Sequence, residues 1–228
     1  MRPLPRTLSA ELSNDELSSL INIIREKSFK GKHLEIGTAA GGTLCCMMKA
    51  FEDRDRPPFV VIDPMTYFQD QLNIIRKNLQ DNGVSPDGID FRVMKSNEAF
   101  IRAKQDRESF DFIFIDGAHK VNYVTDDLRW AGLLNTGGIL CLHDTNVKGV
   151  GLAADRFLRK NPHYVTEKYV DTLLVLCKTR ESESPEISLI DRAWASTLAP
   201  LLRLEVFTKK LLKKRNGKFP KNKFHTPL

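Results

Sequence analysis

His33-Leu34-Glu35-Ile36-Gly37-Thr38-Ala39-Ala40-Gly41-Gly42-Thr43 decides the fold: a short apolar run ends in small residues and turns into a helix-compatible segment. Gly37 and Gly41 carry no Cβ, so the backbone can take φ > 0 there and lie directly against a ligand. Gly42 and Thr43 open a helix whose free N–H groups face the same space. Glu35 sits at the end of the apolar run. Asp63 ends the next one, Phe59-Val60-Val61-Ile62, about one β-α-β unit later, where an acid is placed to hold ribose hydroxyls. The interval Glu-x-Gly-x-x-x-Gly departs from the dinucleotide fingerprint Gly-x-Gly-x-x-Gly and favours another nucleoside ligand. With no ligand, the same loop serves as a tight turn.

Outward from this loop, apolar runs alternate with helical patterns, the signature of a mostly parallel sheet with helices on both faces. Strands are expected over 33–36, 59–62, 89–94, 110–115 and 138–142, with helices over 43–52, 67–82, 97–105 and 124–134 between them. A helix over 148–160 follows. The strand-like runs 164–170 and 172–178, separated only by Asp171, imply an antiparallel pair at the sheet edge. Before the loop, Leu17, Leu20, Ile21, Ile23 and Ile24 recur at helical spacing behind Asn14-Asp15-Glu16. The expected architecture is α/β, a Rossmann-like three-layer sandwich with a mostly parallel seven-stranded sheet, an antiparallel edge strand and a C-terminal helical extension. It divides into an N-terminal helical segment (1–30), a core domain (31–180) and a linker, amphipathic helices and basic tail (181–228). Within that last part Pro200 is expected to split 187–212 into two short helices, and 216–228 to be flexible.

The 228 residues suit one domain with additions, and 41% hydrophobic content fits a globular class. No stretch reaches about 18 uninterrupted apolar residues, and Met1-Arg2-Pro3-Leu4-Pro5-Arg6 leads into no signal-peptide core, so the chain is expected to be cytoplasmic. Cys45, Cys46, Cys141 and Cys177 lie in apolar segments without zinc-site spacing and read as buried free thiols. Of the net charge of +6, residues 203–228 supply nine Lys or Arg against Glu205 alone, +8, which leaves −2 elsewhere. The basic character belongs to the tail and bears on association.

Ligands of a parallel sheet gather at the C-terminal ends of its strands, and the residues there are polar. They are Glu35, Asp63, Ser96-Asn97, Asp116-Gly117-Ala118-His119-Lys120 and His143-Asp144-Thr145-Asn146. The glycine loop, Phe-Ile-Asp-Gly-Ala-His, Leu-Leu-Asn-Thr-Gly-Gly-Ile-Leu and His-Asp-Thr occur in order between Lys32 and Lys178. With them the sequence resembles class I S-adenosylmethionine-dependent methyltransferases. It is nearest to small-molecule O-methyltransferases of the macrolide-sugar, cephalosporin hydroxylase-associated and catechol or caffeoyl-CoA groups.

The resemblance implies S-adenosylmethionine as cofactor, with Glu35, Gly37, Thr38 and Gly41 on its methionine and ribose side. Asp63 would hold the ribose hydroxyls, Ser96 and Asn97 the adenine, and Asp116 would border the same ligand. In metal-dependent relatives the acid matched by Asp116 is a ligand, and His143 and Asp144 align with the second ligand cluster. A divalent cation such as magnesium is therefore implied, although a histidine in place of an oxygen ligand weakens the case for magnesium itself. The acceptor would be a hydroxyl of a small molecule, with Asp116 and His119 at the reacting centre, His119 as first candidate base and Lys120 as second. Val121 departs from the aromatic residue many relatives carry.

Other readings stand beside this one. A nucleic-acid methyltransferase could use the basic tail on phosphates, though Asp116-Gly117-Ala118-His119 is not the Asn/Asp-Pro-Pro-aromatic motif of amino-directed enzymes. A non-catalytic protein could dock through 187–214 onto a partner, an anionic membrane or a second copy as a homodimer. Asp116-Gly117 also suits a structural turn, His143 a backbone bond at a strand end, His119 a plain surface loop, and Trp130 and Trp194 packing.

Overall fold

The computed structural model describes residues 10–27 and 29–215. The first helix, α1 (Asn14–Lys27), buries the five apolar residues of its stripe. A capping box starts it: the Ser13 N–H donates to Glu16 Oε2 (2.7 Å) and the Glu16 N–H to Ser13 Oγ (3.2 Å). Then follow β1 (Lys32–Ile36), α2 (Gly42–Met48), β2 (Phe59–Ile62), α3 (Gln71–Asp81), β3 (Asp90–Arg92) and α4 (Ser96–Gln105). The second half comprises β4 (Phe110–Ile115), α5 (Val121–Asp127), β5 (Leu134–Leu142), α6 (Lys148–Lys160), β6 (Tyr164–Val170), β7 (Leu173–Lys178) and α7 (Leu189–Arg215).

One seven-stranded sheet runs in the order β3-β2-β1-β4-β5-β7-β6. The first five strands in that order pair in parallel, and β7 runs antiparallel to both β5 and β6. The central strands are buried on both faces, which is why they read as unbroken apolar runs. Leu34, Ile36, Ile113 and Ile115 pack beneath α4 to α7, while Val61, Phe112, Phe114 and Cys141 pack beneath α1, α2 and α3. This is the three-layer Rossmann-like architecture expected from the alternation. Cys45, Cys46 and Cys141 are buried cysteines outside any disulfide, and Cys177 is half-buried.

Several boundaries move for local reasons. β3 is shorter than expected because the Met94 N–H turns back onto the Arg92 carbonyl (2.9 Å). α3 begins at Gln71 rather than Tyr67, since the Gln71 side chain takes the N–H groups of Tyr67 and Phe68 (2.9 and 3.4 Å) and Asp70 has φ 56°. α5 starts earlier than expected and gives way to a 3-10 turn over Leu128–Leu133. β5 starts at Leu134, with a register shift against β4 that absorbs residues 135–138.

The largest correction concerns α7, one helix of 27 residues that contains Pro200 instead of two. A proline removes the hydrogen bond to the carbonyl four residues earlier, Ser196, and both residues are exposed, so water can take that carbonyl. Ala195, Trp194, Leu198, Ala199 and Leu202 pack on the core on either side of the break and hold the axis together. The flexible tail expected over 216–228 lies outside the described residues, as does the proline-containing start, 1–9. No helix among the described residues is long and apolar enough to cross a membrane.

Glu108 ties the start of β4 to two strands. It accepts both ends of the Arg92 guanidinium (2.8 and 2.8 Å) and the Lys32 ammonium (2.8 Å). The Arg92 hydrogen bonds, opposed by burial, and the Lys32 bond pull its carboxyl down to about 2. A depressed carboxylate stabilises the fold above its unfolded pKa of about 4.5, and that contribution is lost as pH falls through about 2. Glu108→Gln is therefore expected to lower stability by roughly 2 kcal/mol at pH 7. In urea titrations the gap between wild type and variant should shrink steadily below about pH 4.5.

Candidate active site

The parallel ladder continues one residue past each central strand. The Gly37 N–H donates to the Ile62 carbonyl (3.0 Å), Asp63 to Arg92 (3.3 Å), Asp116 to Ile36 (2.9 Å) and His143 to Ile115 (3.1 Å). Gly37, Asp63, Asp116 and His143 are thereby set along one carboxyl-terminal edge. Strand order reverses between β1 and β4, so the connections after them leave in opposite directions and open a crevice. A cleft of about 770 Å³ lies there, inside the range of roughly 300–1,000 Å³ that encloses small ligands. Of the residues singled out in the sequence, Gly37, Thr38, Asp63, Ser96, Asn97, Asp116 and His119 line it.

The floor of the cleft depends on Gly37, at φ 82°, where an added Cβ would lie 2.4 Å from the Asp116 carbonyl oxygen. Asp63 is fixed rather than free: Oδ2 accepts the Thr38 N–H (3.1 Å) and Oδ1 the Met65 N–H (2.6 Å). The buried Thr38 hydroxyl, by contrast, makes no hydrogen bond among the described residues. Non-glycine residues with positive φ also cluster near the cleft, with Ala39 at 44° and Met65 at 55° beside it and Asp144 at 57° just past β5.

Glu35 and Gly41 do not line the cleft. Glu35 is 1% exposed, neither carboxylate oxygen has a hydrogen bond among the described residues, and burial pushes it up to about 8, with the charges of Asp116 and Asp63 adding to the effect. Its neutral form avoids an uncompensated buried charge. Gly41, at φ 84°, caps α2 and packs against Ile75. Lys120 is exposed, with its ammonium 5.4 Å from the Tyr123 ring centre, and likewise stands off the lining.

Beside the cleft, Asp116, His143 and Asp144 present ligand-type atoms all within 4.8 Å of one another. His143 Nδ1 bonds Asp116 Oδ1 (2.9 Å), and His119 Nε2 lies 3.1 Å from Asp144 Oδ2 and 3.8 Å from Asp116 Oδ1. Burial works to raise Asp116, but the two imidazoles outweigh it and hold the carboxyl below its ordinary range. His119 is raised above its ordinary pKa, by Asp116 first and then Asp144. Burial opposes charge on His143, yet Asp116, Asp144 and Glu16 push it up to about 9. Gly149 of α6 keeps this loop close: a Cβ there would lie 2.5 Å from the His119 carbonyl oxygen.

Four acids at the site, Glu11, Glu16, Asp126 and Asp127, escaped the sequence reading, Glu11 lining the cleft from just before α1. Glu16 lies 3.4 Å from His143 Nε2, and its only local signal was the Ser13-x-x-Glu16 capping box, which explains a helix start and nothing more. Asp126 and Asp127 line the cleft from α5, and burial pushes Asp127 up to about 7 against a hydrogen bond from Ser96. Ser96 Oγ in turn accepts the Trp130 indole N–H (2.8 Å), so Trp130 packs in the core and also orients this corner.

Comparison with known proteins agrees with this geometry. Residues 34–145 match the family described as "Methyltransferase domain". Curated proteins supply no match to the chain. Among solved structures, a Klebsiella pneumoniae protein described as an O-methyltransferase superposes with a TM-score of 0.60 at 21% identity, covering 78% of this chain and 84% of that one. The O-methyltransferase from Bacillus cereus in complex with SAH gives 0.58 at 17%, covering 77% and 84%. SAH-bound PaMTH1 from Podospora anserina gives 0.57 at 20%, covering 76% and 80%. At these identities the likeness is one of fold.

The two loop glycines should differ in tolerance. Gly37→Ala meets backbone at 2.4 Å as well as a left-handed φ, whereas Gly41→Ala meets the Ile75 side chain at 3.1 Å. The first is expected to destabilise by more than about 3 kcal/mol and the second by roughly 1–2 kcal/mol, read from chemical denaturation of both variants.

Proposed function

We propose that this protein, whose residues 34–145 match a methyltransferase-domain family, transfers a methyl group from S-adenosylmethionine to a hydroxyl of a small molecule. The observation that carries the reading is the convergence of Gly37, Asp63 and Asp116 on one cleft at the reversal of strand order. The residues fit the cofactor: Gly37 leaves the backbone bare, the buried Thr38 hydroxyl has no hydrogen bond among the described residues, and Asp63 is an anchored acceptor for a diol. Bound there, S-adenosylmethionine supplies an electrophilic methyl group on a sulfonium.

The chain's own residues then divide the work. Asp63 accepts the ribose hydroxyls, and Ser96 and Asn97 border the adenine. His119 takes the proton that leaves the acceptor hydroxyl as the oxygen–methyl bond forms and the sulfur–methyl bond breaks, while Asp144 and Asp116 orient its ring and stabilise the imidazolium produced. Asp116, His143 and Asp144 are the residues that would hold a divalent cation, which lowers the pKa of a bound hydroxyl. Much of the rate comes from alignment of acceptor and methyl donor in the cleft. Tyr67 and Tyr123 border its open side and give a small acceptor apolar surface to lie on.

Calorimetry with S-adenosylmethionine is the first test, and a folded sample that binds none of it removes the reading. Asp63→Asn is expected to weaken that binding at least about tenfold through the lost charge-assisted bonds. His119→Ala should lower kcat by about 10²–10⁴-fold with cofactor affinity little changed. A base must be neutral to act, and His119 is raised above 6.5. The kcat/KM of the wild type should therefore climb with pH through a pKa above 6.5, and the variant should lack that limb.

A further inference from the structure

We propose that Glu16 of α1 is a positioning residue for the cation site, and that the site it shapes is matched to an ion that accepts imidazole nitrogen, such as zinc or cobalt, rather than to magnesium. The proposal rests on the reading that Asp116, His143 and Asp144 hold a cation, and not on methyl transfer. His143 Nδ1 faces both acids, 2.9 Å from Asp116 Oδ1 and 4.0 Å from Asp144 Oδ2, so this nitrogen points where their oxygens converge. The opposite nitrogen, Nε2, lies 3.4 Å from Glu16 Oε2.

Glu16 is held where it is. Its Oε1 accepts the Thr172 N–H (2.8 Å) and the Thr172 hydroxyl (2.7 Å), and its Oε2 accepts the Ser13 N–H (2.7 Å). With 2% of its surface exposed, the carboxylate is fixed between the start of α1 and the β6–β7 turn. A carboxylate set against one imidazole nitrogen keeps the proton there, so a metal taking the other nitrogen displaces only the proton that Asp116 accepts in the metal-free state. The Phe114 ring, stacked 6.5 Å from the imidazole, limits its rotation. One imidazole and two carboxylates make a mixed nitrogen–oxygen set, whereas magnesium takes oxygen ligands and water.

The test uses the full chain stripped with chelator, titrated with Zn²⁺, Co²⁺ and Mg²⁺ by calorimetry and, for cobalt, by visible absorbance. Wild type should take one equivalent of Zn²⁺ or Co²⁺. Glu16→Gln preserves the capping box, since glutamine serves there too, yet it should weaken Zn²⁺ and Co²⁺ binding by about 10–100-fold. Its affinity for S-adenosylhomocysteine should stay at the wild-type value. Because zinc outbinds magnesium at most sites, preference is read as a ratio: His143→Asp should lower the Zn²⁺/Mg²⁺ affinity ratio at least about tenfold. No stoichiometric uptake of Zn²⁺ or Co²⁺, or an unchanged ratio in His143→Asp, overturns the choice of ion. Unchanged metal affinity in Glu16→Gln, or metal and S-adenosylhomocysteine affinity falling together, overturns the positioning role. Failure of wild type to bind S-adenosylhomocysteine while it binds metal counts against methyl transfer alone.

Discussion

The close approach of the Gly37 backbone to the Asp116 carbonyl is the contact on which the rest of the structure depends. β1 and β4 are neighbours in the sheet but far apart in the chain, and the loops that follow them must leave in opposite directions from the same spot. A side chain at position 37 would fill that spot with atoms 2.4 Å from the carbonyl oxygen. Bare backbone instead lets the β1 loop fold down over the end of β4, and in doing so its Thr38 N–H reaches the Asp63 carboxylate at the end of β2. One glycine thus links three strand ends into a single rim.

That rim gathers more acids than water-poor surroundings tolerate in ionised form, and the structure sorts them by partner. Glu35 has no basic neighbour and is held neutral by burial near pH 7; Asp127, buried beside Ser96, titrates at about 7. Asp116 keeps its charge because two imidazoles face it, and Glu16 because Thr172, Ser13 and His143 surround it. Glu35 is therefore mainly a neutral carboxyl at pH 7, Asp127 is divided between its two forms, and Asp116 and Glu16 are anions, a division set by environment rather than by residue type.

Legibility in the sequence followed the range of the interaction that made each feature. The central strands were readable because two-sided burial demands continuous apolar runs, and 59–62 and 110–115 needed no adjustment. The hairpin was readable because Asp171 and Thr172 leave no room for a crossover. α7 was misjudged because an isolated proline reads as a break, while tertiary packing of Ala195 and Ala199 decides otherwise. Of the site, the strand-end acids and glycines could be placed from order alone. Whether Glu35 and Gly41 reach the cleft could not, since facing direction at a strand end depends on how the next loop packs. Glu16 was invisible as a site residue because its partner His143 lies far along the chain, and no local spacing records a contact between segments so distant in sequence.

The segment with a recognisable methyltransferase pattern, 34–145, does not by itself complete the cluster beside the cleft. Glu16 comes from the helix before it and Thr172, which fixes that carboxylate, from the strand pair after it. Ser13 Oγ also donates to Asp171 (2.6 Å), and the Thr145 N–H and hydroxyl both donate to the Thr172 carbonyl (3.1 and 2.7 Å), so the same turn braces the loop that carries Asp144. The β6–β7 turn is therefore a strut: it is gripped by α1 on one side and by the end of β5 on the other. A change at this turn would reach His143 and Asp144 through hydrogen bonds of ordinary length without touching the glycine loop at all. The core segment fixes the glycine loop and the Asp63 carboxylate, whereas the flanking elements fix the orientation of the imidazole that faces the acids.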